Sequence, residues 1–110
     1  MSYSISYSPE ALDDLKSIYM YIAYELFAGK TAERQINRIR AAIRKLDTFP
    51  DGHSLVDWEP WASAGIRFLP VDNYIVYYYV DDSAMSVNIV RIFYGGRDVE
   101  HIIQDDWIDL

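Results

Sequence analysis

Three arginines and one histidine are the side chains of this sequence best suited to chemistry. Arg91 and Arg97 flank a glycine turn at the end of an apolar run, Val87-Asn88-Ile89-Val90-Arg91-Ile92-Phe93-Tyr94-Gly95-Gly96-Arg97-Asp98, and Arg67 stands in an earlier short run. The chain has only ten basic residues, so two at the mouth of one strand are a large share. A guanidinium there can act on a phosphate, hold a partner, or tie the fold together. His101 follows Arg97 by one helical turn and could donate or accept a proton near neutral pH.

Each of these residues also has a plain structural reading. Arg67 and Arg91 can pair with carboxylates at the ends of the sheet. Arg91 shares strand parity with Val87, Ile89 and Phe93, which would pack its stem and send its head to the edge. His101 fits the surface of a short helix, and His53 sits in an Asp-Gly-His turn. The Gly95-Gly96 pair is too short for a phosphate loop. No His/Asp/Glu spacing suggests a metal site, and there is no cysteine to supply a thiolate.

The elements that must position these residues can be read from periodicity. Tyr3, Ile5 and Tyr7 alternate with serines as in a short strand. Ser8-Pro9-Glu10 opens a helix: a cap, a proline at the first position, and an acid for the dipole. Leu12, Leu15, Tyr19, Ile22 and Leu26 recur at helical spacing, widened by Ala11 and Ile18, while Asp13, Asp14 and Glu25 lie away from the stripe. Gly29 is expected to cap the helix C-terminus. A second helix, from Thr31 to about Asp47, has Ala32, Ile36, Ile39, Ile43 and Leu46 on its apolar side. Lys30, Arg34, Arg38 and Lys45 lie opposite. After a loop from His53 to Ala64, strands are predicted at 65–69, 74–80 and 85–94, followed by a short helix from about Val99 to Trp107. The middle strand has Tyr74, Val76, Tyr78 and Val80 on one face and Ile75, Tyr77 and Tyr79 on the other. Both faces therefore need a cover, from a partner, a binding groove, or the Trp58 loop.

The sequence has 110 residues, 51% of them hydrophobic, which suits one compact domain. The N-terminus lacks a basic and then apolar leader, and no apolar run is long enough to span a membrane, so a cytoplasmic domain is expected. The net charge of −7 opposes unaided binding to nucleic acid. That average hides a polarity: Lys30, Arg34, Arg38, Arg40, Arg44 and Lys45 fall within sixteen residues, while five acids and no Lys or Arg occur from Asp98 onward.

The order of these pieces resembles the RelE/ParE superfamily of toxin–antitoxin toxins over essentially the whole chain. The resemblance rests on Ser8-Pro9-Glu10-Ala11-Leu12-Asp13-Asp14-Leu15, Ala42-Ile43-Arg44-Lys45-Leu46 with Phe49-Pro50, Gly65-Ile66-Arg67, Tyr74-Ile75-Val76-Tyr77-Tyr78, and Arg91-Ile92-Phe93-Tyr94-Gly95-Gly96-Arg97-Asp98. The last string looks more like the ParE branch. The implied fold is α+β: a small antiparallel sheet with an N-terminal αα-hairpin packed on one face, ordered βααβββ with a short C-terminal helix.

The two branches imply different activities. RelE-type toxins cleave mRNA on the ribosome, whereas ParE-type toxins poison DNA gyrase. Arg67 and Arg97 occupy positions where RelE-type enzymes keep phosphate-contacting arginines. The tyrosine expected beyond Arg97 is missing, leaving His101 as a substitute acid or base. The basic residues expected ahead of the meander are replaced by Asp57, Glu59 and Trp61. The expectation is therefore a ParE-like toxin acting on gyrase without catalysis of its own. A ribosome-dependent mRNA endonuclease using Arg67, Arg97 and His101 is the alternative, and an inactivated member that binds only antitoxin is the third. No cofactor is implied. The expected partner is a ParD- or RelB-like antitoxin whose C-terminal segment wraps the toxin in a hetero-oligomer. Arg67, Tyr77, Tyr79, Arg91, Tyr94 and Arg97 are the candidate contacts for antitoxin or target, and Arg34, Arg38 and Lys45 form the candidate gyrase-facing helix surface.

Overall fold

The structure, a computed structural model, describes residues 2–108, with side chains as far as Asp105. Strand β1 (Ser4–Tyr7) leads into helix α1 (Pro9–Met20), and helix α2 (Gly29–Arg44) returns antiparallel to it. Strands β2 (Arg67–Val71), β3 (Tyr74–Asp81) and β4 (Ser86–Tyr94) form the meander, and helix α3 (Val99–Ile108) closes the chain. The sheet order is β1-β4-β3-β2. The three meander strands are antiparallel, as expected. β1 adds to the outer edge of β4 in parallel, so the four-stranded sheet is mixed.

Ser8 caps α1 as its position predicts, its Oγ accepting from the Ala11 amide at 3.0 Å. The same hydroxyl donates to the Val90 carbonyl at 2.8 Å, and the Ser8 amide donates to Ile89 at 2.9 Å. The cap therefore also fixes where α1 leaves the sheet. Ala11, Leu15 and Ile22 are buried, with Ile18 packed beside them. Leu12, Tyr19 and Leu26 are more than a third exposed, so the buried stripe is narrower than the apolar pattern.

The end of the first helix differs from expectation. After Met20 the helix widens into a π-helical turn, Tyr21–Glu25, and Phe27 reverses the chain with φ 52°. Gly29 begins α2 and does not cap α1. The wide turn, closed by the Leu26 amide on Tyr21 at 3.2 Å, keeps Ile22 directed inward while the backbone leaves the helix path.

The αα-hairpin covers one face of the sheet. Ala11, Leu15, Ile39, Ile43 and Leu46 meet Val76, Tyr78, Val87, Ile89 and Ile92 there. The other face is covered by the chain itself: Val56, Trp61, Ile66 and Val99 pack on Tyr77 and Phe93. The Trp58 loop thus supplies the second cover for β3, and no partner is needed for it. This loop also runs beside β2, with Phe68 donating to Ser54 and Val56 to Ile66. Farther along that edge Pro70 offers no donor, so β2 is poorly disposed to pair with another chain. Among the described residues no helix is long and apolar enough to cross a membrane.

Candidate functional site

The register of the sheet decides where the arginines stand. Residues directly opposite in neighbouring strands share a face. Arg67 lies opposite Tyr78, whose ring is in the helix-side core. Between β3 and β4, Tyr77 pairs with Arg91 but Tyr78 pairs with Ile89, which leaves Val90 as a bulge. One extra residue reverses the side-chain alternation beyond it. Val87 and Ile89 consequently face the helices, whereas Arg91 and Phe93 face the other way. The parity that joined Arg91 to Val87 and Ile89 does not survive the bulge.

Arg67 is held on the helix side by the loop before it. Its guanidinium donates to the His53 carbonyl at 2.6 Å and the Asp51 carbonyl at 3.4 Å, with the Asp51 carboxylate at 3.6 Å. Beside it Tyr78 donates its hydroxyl to the Pro50 carbonyl at 2.6 Å. Burial pushes the Tyr78 phenol up to about 12, so it stays a donor throughout the physiological range.

Arg91 forms a fork with Asp14: Nε to Oδ2 at 2.8 Å and Nη2 to Oδ1 at 3.0 Å. Asp14 Oδ2 also accepts from the Ile92 amide at 2.9 Å. β1 pairs with β4 only as far as Ile89, so this amide lies on bare sheet edge. A carboxylate from α1 takes the place of the missing strand. The helical pattern sets Asp14 away from the buried stripe, yet its side chain is only 14% exposed. At 100° per residue it lies about 80° from the Ala11–Leu15–Ile22 line, as far as the exposed Leu12 on the other flank, so the helical pattern alone does not single it out.

Arg97 extends over the face opposite Arg67. Its guanidinium carbon is 5.2 Å from the centre of the Phe93 ring, and that of Arg91 is 4.4 Å from the same ring. Phe93 ends an aromatic ladder in which Trp58 stacks on Trp61 at 5.0 Å, Trp61 tilts against Tyr77 at 4.9 Å, and Tyr77 meets Phe93 at 6.3 Å. The two glycines before Arg97 serve close packing. A Cβ on Gly96 would come within 2.6 Å of the Tyr94 ring, and one on Gly95 within 3.2 Å of the Asn73 carbonyl.

His101 bonds Asp98 at 2.7 Å, and the same carboxylate accepts from the His101 amide at the start of α3. The hydrogen bond from His101 holds the Asp98 carboxyl below its ordinary 3.8, and the bond to Asp98 raises the imidazole above its ordinary 6.5. A raised base contributes fully below its ordinary value and is lost as pH rises through the raised one. A lowered acid contributes above its ordinary value and is lost as pH falls through the lowered one. The first turn of α3 is therefore expected to be best protected between about pH 4 and 6.5. Amide exchange and the His101 ring shifts followed by NMR would test this. An imidazole titrating below 6.5 would contradict it.

Arg67, Arg97 and His101 are not gathered into one site. Arg67 points to the helix side, Arg97 lies over the opposite face, and His101 is occupied with Asp98. Among the other candidates Tyr77 is buried, while Tyr79 and Tyr94 are exposed. An open groove of about 340 Å³ lies beside Tyr77, lined also by Leu55, Trp58, Phe68 and Ile75. A second of about 270 Å³ lies between Tyr74 and Tyr94, whose rings meet edge to face at 6.0 Å. On α2 Arg34 is exposed, as is Lys45 just past its end, whereas Arg38 is bound to Asp72 at 2.8 Å, alongside Gln35. Among the described residues no group of three His, Asp or Glu side chains could hold a metal ion.

The sequence model of a family described as the ParE toxin of the type II toxin–antitoxin system parDE matches residues 5–99. No curated protein sequence matches significantly. Among solved structures, the fold is similar to the chromosomal ParDE toxin–antitoxin system from P. aeruginosa, at 20% identity and TM-score 0.70, covering 84% of this chain and 95% of that one. It is also similar to the toxin–antitoxin complex RelBE2 from Mycobacterium tuberculosis, at 18% identity and TM-score 0.59, covering 86% and 99%. A mutant of the E. coli toxin RelE in the free state aligns at 12% identity and TM-score 0.64, covering 98% and 99%.

Proposed function

Because this chain belongs to the ParE toxin family of type II toxin–antitoxin systems, we propose that it blocks DNA gyrase in the cytoplasm by direct contact, without a reaction of its own. The observation that carries this reading is the division of Arg67 and Arg97 between opposite faces of the sheet. Cleavage of an RNA strand without a metal needs cations converging on one phosphate, with an acid and a base in reach. Here the cations diverge, and His101 is committed to Asp98. A contact inhibitor has no such requirement.

A cognate antitoxin is the second part of the reading. Its C-terminal segment would lie on the side carrying Tyr79 and Arg97, entering the groove beside Tyr77, while Tyr94 stands beside Tyr74 on the helix side of the sheet. Arg91, already bonded inside the chain, would border that surface more than grip the partner, and Arg67, bonded on the helix side, would take no direct part. The basic side of α2, with Arg34, Arg38 and Lys45, would face the gyrase–DNA complex.

Purified toxin is expected to inhibit supercoiling by purified gyrase and to leave translated mRNA uncut in primer extension. The combined variant Arg34→Glu, Arg38→Glu, Lys45→Glu is expected to lose growth inhibition while remaining folded by circular dichroism. Codon-specific mRNA cuts with unimpaired supercoiling would replace this reading by the nuclease one.

A further inference from the structure

The solvent side of α2 differs from the rest of the molecular surface. Lys30, Arg34 and Arg44 are exposed along it and Lys45 directly after it, and none of these side chains makes a hydrogen bond or ion pair among the described residues. Arg38 and Arg40 flank the row, one steadied by Asp72 and the other lying 5.4 Å from the Tyr7 ring centre. Asn37 and the small Ala41 fill the gaps, and Glu33 is the one acid within the helix. The row stands on a rigid support, since Ala32, Ile39 and Ile43 beneath it are fully buried.

What such a surface can bind follows from what it lacks. A stable protein interface needs a desolvated centre with apolar or aromatic anchors. No large exposed hydrophobic residue occurs in α2; those of the hairpin lie on α1, as Leu12, Tyr19 and Met20, or at the turn, as Tyr24 and Phe27. A phosphodiester backbone needs no apolar anchor, only a row of free cations. A helix of sixteen residues spans roughly 24 Å, enough to follow about seven base pairs of rise. The net charge of −7 does not oppose this as strongly as its size suggests. Asp57, Glu59, Asp98 and Glu100 adjoin Val56, Trp58 and Val99 in the layer that covers the far face of the sheet, roughly 20 Å from this row across two layer spacings.

We propose that the solvent face of α2 binds the phosphate backbone of duplex DNA through Lys30, Arg34, Arg44 and Lys45. The proposal rests on the gyrase reading for where DNA is met: in the segment that the enzyme holds. Binding itself can be measured without gyrase. In fluorescence anisotropy with a short labelled duplex, the toxin is expected to bind at low salt. The logarithm of affinity should fall linearly with the logarithm of salt concentration, with a slope of roughly −4 for four phosphate contacts. Arg34→Glu with Arg44→Glu should weaken binding more than tenfold and roughly halve the slope, while Lys16→Glu, exposed on α1 outside the row, leaves the slope unchanged.

Absence of saturable binding at low salt would overturn the proposal. So would binding that survives the α2 variant in folded form, or equal binding of polyglutamate, which would make the surface a site for acidic polypeptide. The supercoiling assay separates the two claims. DNA binding without gyrase inhibition would remove the gyrase reading alone, and inhibition without DNA binding would remove this proposal alone.

Discussion

Replacing Trp61 with alanine is expected to destabilise the domain by about 3–5 kcal/mol, the range for truncating a buried aromatic side chain. Total stability for a domain of this size is about 5–15 kcal/mol, so the variant would be close to unfolding at 37 °C. Trp61 is 9% exposed and stands in the middle of the aromatic ladder, touching both Trp58 and Tyr77. Its backbone carbonyl also accepts from Ile66, where the covering segment turns back toward the sheet. Loss of the ring would leave a gap between this segment and β3, and the small cluster around it has little material to collapse inward. The half-buried Trp58, stacked outside Trp61, should cost much less when truncated. Urea unfolding of both variants would test the argument. A Trp61→Ala loss below about 1 kcal/mol would mean that the loop is a loose cover and not a second core.

The second large effect is expected at Asp14. One carboxylate there satisfies the Arg91 fork and the bare Ile92 amide. Side-chain exposure is 14% for Asp14 and 25% for Arg91. Removing the carboxylate takes the fork away from Arg91 and leaves the Ile92 amide without its acceptor, and Asp14→Ala is expected to cost about 3 kcal/mol. Asp14→Asn keeps an acceptor for the amide and should recover part of that loss. Adding Arg91→Ala to Asp14→Ala should cost less than the separate effects summed, with a coupling of about 1–3 kcal/mol. Strict additivity would show that the fork is ornamental and that the amide bond alone matters. The test also bears on function, because a clasped Arg91 is less available to an antitoxin or a target.

Much of the architecture was legible before any coordinates. Ser8-Pro9 opens α1 because capping chemistry is local, and it makes the bonds that its residue types predict. The spacing of Ala32, Ile39 and Ile43 places α2 on the sheet for the same reason. Two apolar faces on β3 called for two covers, and there are two. What failed locally was the exit from α1. Gly29 is the obvious terminator, but Phe27 takes the left-handed conformation and a π-turn does the rest. The need to keep Ile22 inward outweighed glycine's conformational advantage.

Composition and periodicity alone determined two amphipathic helices followed by three strands, a basic second helix, an acidic C-terminal end, and arginines at the end of the last strand. Those properties depend on residue type and on neighbours a few positions away, so the sequence carries them directly. Only the tertiary structure decided what the arginines are free to do. A bulge at Val90 reverses which face Arg91 serves, β1 stops short and calls Asp14 to the exposed edge, and the register sets Arg67 and Arg97 on opposite sides. Each depends on how strands separated in the chain align, and alignment across a sheet leaves no periodic trace in either strand alone.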